Sequence, residues 1–486
     1  MSVGEDIEGV GVISESGRFV VLGAGPAGLA AAYRLARAGL SPLLLERAPR
    51  AGGLMQGIKN GEYSVDLGRK EIYERNPEVT ELLDELLGDD FEGYPHRVGL
   101  LYQNHIIEYS MQFLGALRGV PLGLLAGMLS GLVWARLKSI GSTPRNYEER
   151  WHQAWGPLMS RALSQGYSEK FYGVKWIDRP VDSGFRRIDD KESKANGQPR
   201  RSLTNLLKHF RHDPDAERLW RHPKGGTQAL VDSLVAGIEE YGGEIRFGTE
   251  VKQVNSSESG VQSVEFKSAE GVCETVNTKE LVSAVPMMVL ANILGLDSDL
   301  LKKDDRNKNR MTILLYLFLD APSEFEHAWL NVTSPDLLIG RVTNYGSFAS
   351  GMIPEGKGCL CLEVFTTPED PFARRGDEEV ISHMIQELVS AELLNEASIV
   401  DRRLIRLPGG EASNESPTWT SHSVTAFQAQ IRQIENLYDV NRAGVDVALY
   451  AGLIAANAIE TGSRTEFDEL ANPSKAPTYS QDKGAL

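Results

Sequence analysis

The hydrophobic pattern near the start of the chain predicts a strand, a tight turn and a helix in direct succession. Residues 19–22 form a continuous apolar run of the kind found in buried parallel strands. A glycine-rich turn, residues 23–28, follows at once, and residues 29–38 then have the composition of a helix. A second apolar run at residues 42–45 completes the unit. The pattern predicts an α/β fold that opens with two parallel strands.

The glycines of this turn stand where a bound dinucleotide requires them. Gly23 permits a tight turn, Gly25 lets the backbone approach a pyrophosphate, and Gly28 allows the helix to pack closely on the strand. Glu46 follows the second strand, where its carboxylate can accept hydrogen bonds from a ribose hydroxyl pair. FAD and NAD both satisfy this geometry. The predicted contacts are made by Gly23, Gly25, Pro26, Ala27, Gly28 and Glu46.

The composition narrows the range of partners. The 67 acidic and 51 basic side chains give a net charge of −16, which repels nucleic acid and anionic lipid at long range. The three cysteines and nine histidines show no spacing typical of a disulfide framework or a metal site. Residues 1–16 are acidic and glycine-rich, without the basic start and apolar run of a secretory signal. We expect a flexible leader, a cytoplasmic protein, no nucleic-acid partner and no metal.

The segment after Glu46 distinguishes between the two dinucleotides. Residues 47–54 continue directly from Glu46 and contain the pair Gly52-Gly53. This arrangement resembles the amine oxidase and protoporphyrinogen oxidase superfamily of flavoproteins. Residues 66–68 (Asp-Leu-Gly) and 76–79 follow at a spacing similar to that of the subgroup that includes UDP-galactopyranose-mutase-like and protoporphyrinogen-oxidase-like proteins. The resemblance implies FAD as cofactor. It adds Arg47, Gly52, Gly53 and Leu54 to the predicted cofactor contacts.

Two later segments also resemble parts of the family's cofactor site. Residues 249–251 are similar to the adenine-side segment, in which the backbone of Val251 would contact the adenine. Residues 450–462 resemble the segment that closes over the isoalloxazine ring, with a helix start that points amide donors at the flavin's pyrimidine edge. The resemblance therefore assigns cofactor contacts to Gly452, Leu453, Ile454 and Ala455.

The order of these segments implies an interleaved architecture. We expect a Rossmann-like FAD-binding domain of the glutathione-reductase type, built from residues 17–75, 213–286 and 425–486. Residues 76–212 and 287–424 would form an α+β substrate domain with a mixed sheet and helices. The fold class is α/β.

One segment departs from the subgroup's pattern. The subgroup usually has Gly-His after the Asp-Leu-Gly, whereas this chain has Arg69, Lys70 and Glu71. A lysine beside a flavin can raise its reduction potential, hold a substrate anion, or act as a base when burial lowers its pKa. Lys70 and Arg69 are therefore candidate catalytic residues. The alternative is an exposed Lys70 that pairs with Glu71.

The subgroup's diphosphate-binding arginines are harder to locate. Arg186 and Arg187 are the candidates, and an ordinary pair of surface charges is the favoured alternative.

A glycine stripe stands apart from these motifs. Gly115, Gly119, Gly123, Gly127 and Gly131 recur at every fourth position, and residues 119–135 carry no charge. On a helix these glycines share one face, and Pro121 predicts a kink or a break. We expect a substrate-domain helix pair whose apolar face lines a tunnel towards the flavin. Contact with a membrane surface is the less favoured alternative.

Three functions fit these features. The favoured hypothesis is an FAD-dependent oxidoreductase that oxidises or desaturates a small organic substrate by hydride transfer to flavin N5, with dioxygen or another electron acceptor reoxidising the flavin. The second is a redox-neutral sugar-nucleotide mutase similar to UDP-galactopyranose mutase. The third is a flavin-binding scaffold without catalysis.

Overall fold

The computed structural model describes residues 11–12, 17–95, 97–108, 120–140, 142–181, 220–257, 259–296, 310–408 and 422–471 of the 486. The strands within these ranges are β1 (Gly11–Val12), β2 (Arg18–Leu22), β3 (Leu43–Leu45), β4 (Gly57–Asn60), β5 (Tyr63–Asp66), β6 (Phe91–Tyr94), β7 (Val98–Tyr102), β8 (His105–Glu108), β9 (Trp220–Pro223), β10 (Glu244–Arg246), β11 (Glu250–Ser257), β12 (Gly260–Lys267), β13 (Cys273–Ser283), β14 (Met311–Leu319), β15 (Trp329–Val332), β16 (Arg341–Asn344), β17 (Gly358–Thr366), β18 (Ile399–Pro408) and β19 (Leu437–Asp439). The α-helices are α1 (Pro26–Arg37), α2 (Pro77–Leu87), α3 (Leu122–Lys138), α4 (Tyr147–Trp155), α5 (Pro157–Ser160), α6 (Gly166–Tyr172), α7 (Gln228–Glu240), α8 (Met287–Ile293), α9 (Asp377–Ser390), α10 (His422–Arg432), α11 (Val445–Thr461) and α12 (Thr465–Ala471).

The first sheet has eight strands and contains the predicted strand–turn–helix unit. Its order is β10-β3-β2-β13-β12-β11, with β1 and β19 also paired to β13. Strands β10, β3, β2, β13 and β19 run parallel, so their carboxyl ends meet at one edge. The two-residue β1 lies within the predicted leader, where it pairs in parallel with Glu274 and Thr275 instead of remaining loose.

The second sheet has seven strands in the order β18-β14-β17-β16-β15-β7-β8. It is mixed, as predicted, because β15 and β7 run parallel while the other neighbours are antiparallel. One face packs on α9 through an apolar cluster that includes Leu315, Leu362 and Met384. The opposite face carries Tyr316 and Glu363, which contact residues 66–69.

The chain passes repeatedly between the two sheets. It leaves the first sheet after β3 and returns at β10, then leaves after β13 and returns at β19. The strands of the second sheet lie in the two intervening stretches. This arrangement confirms the predicted fold class, whereas the residue numbers of the domain boundaries stay a prediction.

Helix α11 begins earlier than the sequence analysis placed it. Its first residue is Val445 and its N-cap is Gly444, so Gly452, Leu453, Ile454 and Ala455 lie near its middle. The expectation that they form the helix start is wrong. Gly452 instead permits close packing on α1, because a Cβ on it would lie 2.1 Å from the carbonyl oxygen of Ala27.

Helix α3 carries the described part of the glycine stripe, while Gly115 and Gly119 lie outside the described residues. Pro121 is the N-cap of α3, so it begins the helix and does not kink it. Gly127 faces Leu158, where an added Cβ would lie 2.9 Å from that side chain.

Helix α3 also carries an exposed apolar stripe. Leu122 is 84% exposed and Val133 is 60% exposed, and Leu129, Trp134 and Leu137 are also exposed. The expectation of a tunnel lining is wrong for these residues, since they lie on the outer surface. No helix in the described ranges is long and apolar enough to cross a membrane. Contact with a membrane surface stays a prediction.

Replacing Gly452 by alanine should lower the free energy of unfolding by about 1–3 kcal/mol, the usual cost of overpacking a core. The added methyl would force α1 and α11 apart. Urea unfolding followed by circular dichroism measures the change. Gly123→Ala is the control, because this glycine also lies in a helix and has nothing within 4 Å of its added Cβ. The control should be neutral or stabilising by up to about 1 kcal/mol, and equal losses in the two variants would contradict the packing argument.

Candidate cofactor and active site

The turn between β2 and α1 is shaped by glycine. Gly23 has a φ of 91°, a conformation that side chains with a Cβ rarely adopt. A Cβ on Gly28 would lie 1.9 Å from the carbonyl oxygen of Gly23, so the helix approaches the turn more closely than any other residue allows. Gly25 is the N-cap of α1 and has nothing within 4 Å of an added Cβ. Open space therefore adjoins the helix N-terminus, where backbone N–H groups have no partner within the helix.

The second glycine pair packs against this turn. The N–H of Gly52 donates to the carbonyl oxygen of Ala24 at 2.7 Å. A Cβ on Gly53 would lie 3.2 Å from the Cα of Gly25, and Leu54 continues the same short turn half-buried. The structure thus brings the turn 23–28 and the pair Gly52-Gly53 together. We call this surface the glycine cradle, and an added Cβ would narrow it.

Glu46 lies beside the same cradle at the end of β3. Its carboxylate accepts hydrogen bonds from the N–H groups of Ala24 at 2.6 Å and Ala48 at 2.7 Å. The carbonyl oxygen of Glu46 accepts from the N–H of Thr249 at 2.9 Å, which places Val251 close by on β11. The predicted ribose and adenine residues are therefore neighbours, and Arg47 is exposed next to them.

The carboxyl edge of the first sheet defines a direction for a long ligand. From β3 the edge runs through β2 and β13 to β19, after which the chain enters α11 at Gly444. Since neighbouring strands lie about 4.8 Å apart, three steps cover about 14 Å. An extended dinucleotide with its ribose at Glu46 and its pyrophosphate at Gly25 would carry its other end towards the N-terminus of α11.

Asp66 holds in place the segment that follows β5. Its buried carboxylate accepts from the N–H of Thr227 at 2.7 Å and lies 2.9 Å from Nε2 of His222. Its carbonyl oxygen accepts from the hydroxyls of Tyr316 and Tyr345, each at 2.8 Å. Burial by itself raises the pKa of Asp66, but His222 and Thr227 outweigh it and hold the pKa below its ordinary value. These contacts hold β5 against the second sheet.

Arg69, Lys70 and Glu71 follow directly. Arg69 lies over the Trp329 ring, 4.8 Å from its centroid, and pairs with Glu71. Lys70 is half-buried, and its ammonium donates to the carbonyl oxygens of Leu67 at 2.6 Å and Arg69 at 3.3 Å. The alternative of an exposed Lys70 paired with Glu71 is wrong, because Glu71 is buried and bonds Arg69 and the hydroxyl of Tyr73 instead.

The facing strand pair contributes residues that the sequence analysis missed. Arg341 makes a bidentate pair with Glu363, at 2.8 and 2.7 Å, and both side chains are buried. Glu363 also accepts from the N–H of Arg69 at 3.2 Å, and Arg341 donates to the hydroxyl of Tyr167 at 3.3 Å. The two residues are 22 positions apart, and the pairing of β16 with β17 places them directly opposite each other.

Other candidates contribute nothing to this region. Arg186 and Arg187 lie outside the described residues. Cys359 and Cys361 are buried in β17, and burial raises the pKa of both thiols, so they remain protonated and unreactive. The described residues contain no group of three or more side chains that could hold a metal ion.

The parallel sheet, the glycine cradle at a helix N-terminus and the acid at the end of β3 define a dinucleotide-binding protein of the Rossmann type. The model of the family named flavin containing amine oxidoreductase matches residues 26–459, and the chain belongs to this family. A mitochondrial protoporphyrinogen oxidase of Nicotiana tabacum is 36% identical over 294 residues, 53% of each chain. The chain spans at most about half the length of the curated relatives that it matches.

Solved structures share the fold at low identity. A reduced UDP-galactopyranose mutase superposes with a TM-score of 0.74 at 19% identity, covering 95% of this chain and 99% of that one. A protoporphyrinogen oxidase candidate from Exiguobacterium gives a TM-score of 0.68 at 16% identity, covering 93% and 100%.

FAD is the cofactor of this family member, and the residues fit it. The glycine cradle admits a pyrophosphate, and the carboxylate of Glu46 retains acceptor capacity for ribose hydroxyls. The contacts assigned to individual residues stay a prediction, as does the cytoplasmic location. Small organic molecules are the substrates of the family.

Replacing Gly25 by alanine should weaken FAD binding at least tenfold, about 1.4 kcal/mol, without lowering the stability of the apoprotein. Its φ of −77° and ψ of 178° suit alanine, so the only effect of the new Cβ is to narrow the cradle. Titration of apoprotein with FAD, followed by flavin fluorescence, measures the affinity.

Gly376→Ala is the matched control for this variant. Gly376 is also an extended N-cap, with a φ of −62° and nothing within 4 Å of an added Cβ. It lies before α9, far from the cradle in the chain, and should leave FAD affinity unchanged. Wild-type affinity in Gly25→Ala would refute the assignment of the pyrophosphate site.

Proposed function

We propose that this protein is an FAD-dependent oxidoreductase that oxidises or desaturates a small organic substrate by hydride transfer to flavin N5. The family supports flavin chemistry on a small molecule. The observation that carries the proposal is the charged segment 69–71. Arg69 of this segment contacts Glu363 and Trp329 of the second sheet, and Arg75, a few residues further on, pairs with Asp446 in the first turn of α11. Bound flavin supplies the acceptor for the substrate's electron pair. The chain supplies binding, orientation and charge.

Arg69 contributes a fixed charge to this segment. Its guanidinium stacks on Trp329 and pairs with Glu71, whose carboxylate also accepts from the Tyr73 hydroxyl at 2.5 Å. Because stacking and ion pairing already hold the guanidinium, Arg69 loses little further conformational freedom when a substrate binds. Arg69 would therefore orient the substrate without a large ordering cost.

Lys70 contributes an adaptable charge. Its ammonium contacts two carbonyl oxygens and, within the described part of the chain, no carboxylate. A cation of this kind can turn towards an anionic group of the substrate. It also favours the negative charge that a flavin gains on reduction. Both effects assist hydride removal from the substrate.

The first experiment tests the reaction class directly. Holoprotein is mixed under anaerobic conditions with protoporphyrinogen, with a set of primary and secondary alkylamines, and with UDP-galactopyranose. Loss of the oxidised-flavin absorbance with protoporphyrinogen or an amine is expected, and its return after admission of dioxygen would identify the acceptor. Conversion of UDP-galactopyranose by pre-reduced protein alone, without net flavin oxidation, would favour the mutase instead. A flavin that responds to none of these compounds would favour the scaffold.

Lys70→Met should slow flavin reduction by the substrate about 10–100-fold at low substrate concentration, because a hydrogen bond to a charged group contributes about 1.5–3 kcal/mol. Stopped-flow absorbance measures the rate, and the FAD content should stay at the wild-type level. Lys70→Arg keeps the cation and should recover part of the rate. The control is Lys59→Met, an exposed lysine on β4. Wild-type rates in Lys70→Met would remove Lys70 from the proposed site.

A further inference from the structure

The first turn of α11 contains a fully buried acid. Asp446 is the second residue of the helix, and its side chain is 0% exposed. Its carboxylate lies 3.0 Å from Nε of Arg75, and a second contact, from Nη2 to the other oxygen, measures 3.4 Å. Arg75 lies over the Tyr73 ring, 4.3 Å from its centroid, and its side chain is 34% exposed. The pair therefore joins the N-terminus of α11 to the segment that carries Arg69 and Lys70.

The groups around Asp446 have opposite effects on its pKa. Burial raises its pKa to about 6, while the charge of Arg75 and the backbone N–H groups of Val447 and Asp446 itself act to lower the pKa. The nearby carboxylate of Glu71 acts to raise it. In the loop before the helix, Arg442 pairs with Asp439 at 3.7 Å. Arg75 and the two backbone N–H groups thus favour the ionised state of Asp446, and the partly exposed Arg75 gives the ion pair contact with solvent.

An acid at this position matters because of what the helix N-terminus does. The partial positive charge of a helix N-terminus stabilises negative charge placed before it, within about one turn. An ionised carboxylate in the first turn cancels that effect, whereas a protonated one does not. If the flavin end of the cofactor lies at α11, as the direction of the sheet edge indicates, the protonation of Asp446 and the reduction of the flavin favour each other.

We propose that the Asp446–Arg75 pair sets the reduction potential of the bound flavin and couples flavin reduction to uptake of a proton by the Asp446 carboxylate. The electrons come from the reductant. The proton comes from solvent at the side of the ion pair where Arg75 is partly exposed. Asp446 acts through the charge at the helix N-terminus and is a positioning residue. The inference rests on the flavin orientation used in the proposed function, but not on any particular substrate.

The test is a measurement of the flavin's midpoint potential in holoprotein between pH 5 and 8, by equilibration with redox dyes during dithionite reduction. The wild-type potential should fall more steeply with pH around and above about pH 6, where the oxidised protein has lost the Asp446 proton that the reduced protein regains. Asp446→Asn keeps the size and hydrogen bonding of the side chain but removes its charge. Its potential should equal that of the wild type at pH 5, exceed it at pH 8, and lack the steep region.

Arg75→Gln provides a second variant that leaves Asp446 in place. Loss of the cation raises the pKa of Asp446 further, so the steep region should move to higher pH. Glu460→Gln is the matched control, since Glu460 lies near the other end of the same helix and pairs with Arg34 at 3.0 Å. It is 14 residues from Asp446, a rise of about 21 Å, and should follow the wild-type curve.

The outcomes separate this inference from the proposed function. Reduction by dithionite needs no substrate, so the potentials decide the inference even if no compound in the substrate set reduces the flavin. A structural role for Asp446 would change unfolding and FAD retention but leave parallel potential curves. Parallel curves for wild type, Asp446→Asn and Arg75→Gln would overturn the inference.

Discussion

The close approach of backbones around the N-terminus of α1 is the constraint on which the rest of the structure depends. Gly28 brings the helix against the turn after β2, and Gly452 lets α11 cross the same helix at a distance that excludes any Cβ. Strands β2 and β19 both pair in parallel with β13, so their carboxyl ends lie on one edge beside these two helices. That edge is where a cofactor can span both helix N-termini. Packing and binding therefore depend on the same glycines.

The second sheet is attached to this edge through buried polar contacts. Asp66 links β5 to Thr227 and His222 through its carboxylate. Through its carbonyl it links β5 to Tyr316 of β14 and to Tyr345 in the turn after β16. Each of these groups would be costly to bury without its partner. The network consequently fixes where Gly68 and the residues after it enter the space between the sheets.

Most of the charges named around this segment, among the residues that the structure describes, form compensated pairs. Arg69 with Glu71, Arg341 with Glu363 and Arg75 with Asp446 each place a cation beside a buried carboxylate. Lys70 contacts carbonyl oxygens instead. Paired charges hold geometry, whereas a lone cation can respond to a ligand. The difference between the two arrangements is the basis for the roles proposed above.

The sequence by itself determined the fold class, the cofactor and the glycine cradle. Gly23, Gly25, Gly28 and Glu46 lie within one strand–turn–helix–strand unit, so their local spacing was enough to predict their meeting. The sequence analysis placed the start of α11 within residues 450–462, whereas the helix begins at Val445, because the apolar composition continues through that stretch and only the backbone conformation of Gly444 marks the N-cap. The pairs Arg341–Glu363 and Arg75–Asp446 were decided by tertiary structure alone. The residues of the first pair lie on separate strands, and those of the second lie near opposite ends of the chain. A local sequence pattern cannot predict such contacts, because sheet pairing and helix packing create them.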